Sequence, residues 1–230
     1  MSGALPGPAQ AAAAVLAVAA AAAGETAALE PVAERIAVAI AGGGTVFALG
    51  AGHAQAFAME LVSRAGGLRG FAQMSLEDLR PGKRAAAVQL RDSLPERDPA
   101  NGALILQHYS VTPADVVLIA SNSGRNGAIV ELALQCRRRG IYTAAFTSRA
   151  HSGAVASRHP SGRRLLEITD AVVDNHCPLG DATVEIDGVG RVCAASTVSF
   201  ALLAQMLTAA VIGSLARRGL PVQPIVSANV

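Results

Sequence analysis

At 230 residues, 51% of them hydrophobic and 16% charged, the chain can bury one full α/β core. A net charge of +2, 3% aromatics and no Trp exclude the basic surface and stacking platforms that nucleic acid demands. Cys136, Cys177 and Cys193 show no CxxC spacing, as expected of reduced thiols in a cytoplasmic protein, and Lys83 alone could form a Schiff base.

After a Pro/Gly-rich start, residues 9–23 and 25–41 read as two helices broken at Gly24. The alanine-rich run at 10–23 lacks a preceding basic region and is too short to cross a bilayer, so no membrane partner is expected. These helices are expected to pack on the main domain, residues 42–230, or on a second copy. Residues 45–49 read as a strand, followed at once by Gly50-Ala51-Gly52-His53-Ala54 and a helix reaching about Arg64. Residues 68–74 could add a short strand. The stretch 75–100, with Glu77, Asp78 and three prolines, is the least regular, and such long loops tend to carry function.

A helix over 100–110 leads to Val116-Val117-Leu118-Ile119-Ala120, apolar on both faces like a buried parallel strand. Ser121-Asn122-Ser123-Gly124-Arg125-Asn126 follows, and then a helix with Ile129, Leu132, Ala133 and Cys136 on one face. A strand, a loop of hydroxyls and glycine, and a helix start make an anion site: free N–H groups and the positive dipole end meet hydroxyl donors. An ordinary N-cap serine cluster is the plainer alternative. Two strand–glycine loop–helix junctions at strand carboxyl ends would face one crevice. Residues 141–146 form the next strand, ending in Thr147-Ser148; 149–165 carry His151 and His159; 171–173 form a last short strand. Residues 192–218 read as one long helix with Ser196 and Thr197 near its start, and the tail has no helix pattern. Strands alternating with helices predict a parallel sheet.

SNSGRN at 121–126 resembles the sugar-phosphate loop of SIS (sugar isomerase) domains, usually S-x-S-G-x-[ST], and GAGHA at 50–54 resembles their first glycine loop. With TSRAHSGAVASRHPSGRRL, DNHCPLGDATVEIDG and the terminal SANV, nearly the whole chain after about residue 25 is similar to single-domain bacterial phosphosugar isomerase-like proteins. The resemblance implies a three-layer α/β sandwich, flavodoxin-like, with a five-stranded parallel sheet between helices. It also implies a homo-oligomer, a dimer or dimer of dimers, with sites near subunit contacts.

By position, Gly52, Ser121, Asn122, Ser123, Gly124 and Asn126 match phosphate-binding positions, with Thr147, Ser148 and Ser196 as further contacts. Phe57-Ala58-Met59-Glu60-Leu61 resembles the F-A-E-E-L run of heptose-phosphate isomerases, which points to Glu60 as base; its alternative is an ion pair with Arg64. His53, His176 and Glu77 are candidates for the partner acid, each with a bland alternative as a solvated or packing residue. Asn126 stands where Ser or Thr is commoner, and Ala54 where a phosphate-contacting serine is frequent. The long last helix lacks the histidine that heptose isomerases place there; Ser196 and Thr197 occupy its early turns. The absence of a tail lysine and of a preceding amidotransferase domain argues against ammonia transfer.

A raised-pKa carboxylate suits removal of a proton alpha to a carbonyl. The expected activity is therefore isomerisation or elimination on a hexose, N-acetylhexosamine or heptose phosphate. The competing reading is a sugar-phosphate sensor acting through a protein partner. His151 and His159 lack zinc-site spacing, so no metal or other cofactor is expected.

Overall fold

The computed structural model describes residues 7–79 and 95–227. Lys83 and Pro81 fall outside these residues, as does the end of the SANV tail. Five strands form one parallel sheet: β1 (Val46–Gly50), β2 (Phe71–Met74), β3 (Val116–Ala120), β4 (Tyr142–Thr147) and β5 (Ala171–Asp174), in the order β2-β1-β3-β4-β5. The three-layer α/β class expected from the sequence is the architecture observed.

The apolar runs are continuous because both faces of the sheet are covered. Val46 and Ala48 of β1 and Val116, Leu118 and Ala120 of β3 point to one core; Phe47, Leu49, Val117 and Ile119 point to the other. The first core is closed by α2 (Thr26–Ala41), α3 (Gln55–Leu61) and α7 (Ser196–Arg217), and the second by α4 (Ala100–His108) and α5 (Gly127–Arg138). In the first core Phe57 lies 4.2 Å from Phe146 and 6.3 Å from Phe200, centroid to centroid, so α3, β4 and α7 are locked together. The alanine-rich α1 (Pro8–Ala22) packs on α7 but buries only Ala19 and Ala22.

Two elements differ from their sequence reading. The helix expected from residue 192 begins at Ser196. Residues 192–194 belong instead to a hairpin, β6 (Ala182–Ile186) with β7 (Gly190–Ala194), in which Val184 opposes Val192 and Glu185 opposes Arg191. Its turn needs left-handed residues, supplied by Gly188 at φ 72° and Gly190 at φ 105°. The apolar run V-C-A-A fits a helix start or a strand equally well, and pairing decided. The helix expected to reach about Arg64 stops at Leu61, because Val62 is extended and Ser63 turns left-handed at φ 54°.

Along its 22 residues α7 is long and apolar enough to cross a membrane, yet half of its most apolar stretch is buried within this fold. Small side chains let it pack closely against α2 and α3. Beyond it the tail runs to the loop between α3 and β2, where Ile225 exchanges backbone hydrogen bonds with Gly66 (2.8 Å) and Gly67 (2.9 Å).

Candidate functional site

The strand order reverses between β1 and β3, so the loops after these strands lie side by side at the carboxyl edge, where open α/β sheets bind ligands. Ala51 N–H donates to the Ala120 carbonyl at 3.3 Å, which ties the two loops together. Gly50 allows the chain to fold straight back: a Cβ there would overlap the Ala54 carbonyl and lie 2.5 Å from the Gln55 nitrogen. Gly52 and His53 are exposed in the turn that follows. Ala54 is buried in the first core, so a methyl group stands where a serine would have offered a hydroxyl.

The 121–126 loop is built from inside. Ser121 is almost fully buried and its Oγ accepts from Gly124 N–H at 3.3 Å. Gly124 is left-handed at φ 57°, and a Cβ on it would come within 3.1 Å of Leu165 and 3.2 Å of Ser152 Oγ. Ser123 is half-buried, and among the described residues its hydroxyl meets no partner. Asn126 is the N-cap of α5, yet no side chain caps that helix; Asn126 Oδ1 instead accepts from Arg158 at 2.9 Å. The first N–H groups of α5 therefore remain available to an anion.

Three other expected contacts serve the architecture. Thr147 Oγ1 donates to the Asn122 carbonyl (3.2 Å), and Ser148 Oγ donates to the Cys177 carbonyl (2.6 Å) while capping α6 (Arg149–Gly153) through His151 N–H. Ser196 Oγ donates to Asp181 Oδ2 at 2.6 Å, and Asp181 Oδ1 accepts from Ser196 N–H, fixing the start of α7. The Cys177 thiol donates to the Asn175 carbonyl at 3.8 Å; burial first, and the neighbouring Asp181 carboxylate second, push that thiol well above its usual range.

Among the acid–base candidates, Glu60 accepts from Arg64 at 2.7 Å and from Gln205 Nε2 at 2.9 Å. No hydrogen bond joins it to the 121–126 loop. His176, left-handed at φ 56°, holds Glu25 Oε1 at 2.9 Å and so links the end of β5 to the start of α2. Glu77 is exposed in a turn just after the edge strand β2. The fold thus joins β3, β4 and β5 loop residues into one polar cluster and leaves Glu60 and His176 engaged elsewhere.

One member of the cluster was read in the sequence only as lacking zinc spacing. Asn175 Oδ1 accepts from Cys177 N–H (3.0 Å), so its amide nitrogen donates to Asn122 Oδ1 (2.8 Å). Asn122 must then donate through its own Nδ2 to His151 Nδ1 at 3.2 Å. This chain starts from a backbone N–H whose role cannot change, and it makes Nδ1 of His151 an acceptor and Nε2 the protonated nitrogen. Burial, reinforced by Arg125 and opposed by Asp181, lowers the His151 pKa. We expect His151 to titrate below the 6.5 of an unperturbed imidazole, and nitrogen chemical shifts at pH 7 to show Nδ1 bare. Titration at or above that value with Nδ1 protonated refutes the relay. Because the neutral form is favoured in the fold, the stability it contributes is lost as pH falls below 6.5. His159 belongs to a separate group, with Glu131 Oε2 at 2.9 Å and Ser161 Oγ at 2.8 Å.

A model of the SIS domain matches residues 10–148. A UPF0309 protein of Geobacillus kaustophilus is 38% identical over 154 residues, which are 67% of this chain and 60% of that protein's length. The phosphoheptose isomerase GmhA of Neisseria gonorrhoeae shares the fold at a TM-score of 0.56 and 16% identity, over 86% of this chain and 93% of that one. The Vibrio vulnificus NanR protein, solved in complex with ManNAc-6P, does so at 0.55 and 14%, over 91% of this chain and 63% of that one.

Proposed function

Because this chain belongs to the SIS domain family, we propose that its 121–126 loop binds the phosphate of a sugar 6-phosphate. One observation carries the reading: a hydroxyl-bearing loop with a left-handed Gly124, at the β1/β3 switch point, leads into a helix that no side chain caps. Ser121, Ser123 and the first amides of α5 supply donors, and the dipole of α5 favours the dianion. The fold-mate complexed with ManNAc-6P supports an amino-sugar phosphate as the first class to try.

On that scaffold we place a phosphosugar enzyme of the isomerase or lyase type. The chemistry begins with removal of the C2 proton by Glu60. Its carboxylate must first exchange Arg64 and Gln205 for substrate. His151, kept neutral with hydrogen on Nε2, is the proton donor to the substrate oxygen, in preference to the exposed His53 or the Glu25-bound His176. Donation to a carbonyl or ring oxygen gives aldose–ketose exchange, and donation to a departing 3-oxygen gives elimination.

The engagement of Glu60 favours a second reading, a sensor that binds the sugar phosphate without turning it over. Thermal-shift measurements against sugar 6-phosphates and their free sugars test binding, since a ligand of the folded state raises Tm. Equal shifts with both remove the phosphate-loop argument. With a binding phosphosugar in hand, Glu60→Gln separates the two readings. Turnover reduced by about a thousandfold or more with binding kept supports the enzyme. A wild type that binds and turns over no phosphosugar supports the sensor.

A further inference from the structure

Beside the hydroxyls and amides of the loop stands a group of cations that binding one phosphate does not use. Arg125 lies within the loop. The Arg158 backbone N–H donates to the Arg125 carbonyl at 2.8 Å, and its guanidinium donates to Asn126 Oδ1 at 2.9 Å. Arg97 approaches from the segment before α4: a Cβ on Gly127, the first residue of α5, would overlap its carbonyl oxygen and lie 2.9 Å from Pro99. Three arginine backbones are thus anchored within a few residues of one helix mouth.

Their charges act on one another, as the effect of Arg125 and Arg97 on Arg158 shows. Among the described residues none of the three holds a carboxylate within 4 Å, as is also true of Arg35, Arg69, Arg137, Arg139, Arg149 and Arg163, whereas Arg64, Arg138, Arg164, Arg191, Arg217 and Arg218 each do. What sets these three apart is that they gather at one helix mouth. The Nε of Arg125 is buried without a hydrogen-bond partner. Partial burial, then Arg125 and Arg97, lower the Arg158 pKa, and Glu96 opposes them. Like charges held together at a helix N-terminus repel unless an anion joins them, and guanidinium forks match carboxylate and phosphate oxygens.

We propose that Arg97, Arg125 and Arg158 bind a second anionic group of the ligand, beside the phosphate held by residues 121–126. The ligand class is then a sugar phosphate with two separate anions, the second a carboxylate or another phosphate. This deepens the phosphate reading of the loop and rests on it. The hydroxyls and α5 amides already suffice for one phosphate, and the Arg158 guanidinium is held on the Asn126 side chain.

The test is calorimetric titration of the full chain with glucose 6-phosphate, 6-phosphogluconate and fructose 1,6-bisphosphate, in the wild type and in Arg97→Gln and Arg158→Gln. Both substituted residues are exposed, so the fold is expected to survive. At least one two-anion probe should bind about tenfold tighter than glucose 6-phosphate. Each substitution should erase most of that margin while glucose 6-phosphate affinity stays within about threefold. A margin with 6-phosphogluconate identifies a carboxylate, and one with the bisphosphate identifies a phosphate. The proposal is overturned if neither two-anion probe outbinds glucose 6-phosphate. It is also overturned if the substitutions weaken glucose 6-phosphate as much as the others, since the arginines then serve a single phosphate. In both cases glucose 6-phosphate still binds and the loop reading stands. Silence from all three probes removes both.

Discussion

Gly50→Ala is expected to lower Tm by about 10 °C or more, corresponding to about 4 kcal/mol in a chain of this size. The atoms its methyl would meet, the Ala54 carbonyl and Gln55 nitrogen, are backbone and cannot rotate away. To admit the methyl, the turn must move, and the turn is the entry to α3, whose Phe57 is fully buried against Phe146. Gly52→Ala provides the contrast. Gly52 is left-handed at φ 58° but a Cβ there would find nothing within 4 Å, so only the conformational cost applies, about 1–2 kcal/mol. Differential scanning calorimetry of the two variants measures the difference. Equal, small losses would mean that the β1 turn is not closed as described.

The second large effect concerns binding. Ser121→Ala with Ser123→Ala should weaken sugar-phosphate binding by about a hundredfold or more, because a hydrogen bond to a charged oxygen contributes about 1.5–3 kcal/mol. Some loss of stability accompanies it, since Ser121 Oγ also accepts from Gly124 N–H. Ser196→Ala is the control: its hydroxyl is spent on Asp181, so affinity should stay within a few-fold. Titration calorimetry with whichever sugar phosphate gives the largest thermal shift reads both. If Ser196→Ala proves the more damaging, the phosphate lies nearer the start of α7 than the 121–126 loop.

Much of this was legible in the sequence for local reasons. An apolar run without alternation can only be buried on both faces, so β3 and the parallel sheet could be read from residues 116–120. Gly124 and its neighbouring serines carry their conformational and hydrogen-bonding preferences with them, and the loop forms as expected. The hairpin at 182–194 was not legible, because its strands are short and half-buried and its last residues suit a helix as well. Thr147, Ser148 and Ser196 looked like ligand contacts because a hydroxyl at a strand end or helix start reads the same whether it faces a ligand or the chain. Only the positions of Asn122, Cys177 and Asp181 show that the chain takes them.

By itself, then, the sequence determined most of the strands and helices and the form of the 121–126 loop, because propensity, burial pattern and glycine stereochemistry act over a few residues. The tertiary structure decided which polar groups remain free. His151 gains its tautomer from Asn175, 24 positions away, through Asn122 of another strand end. Arg158 reaches the loop across 32 positions. Hydrogen bonds of that range depend on how strands are ordered in the sheet, which no local pattern encodes.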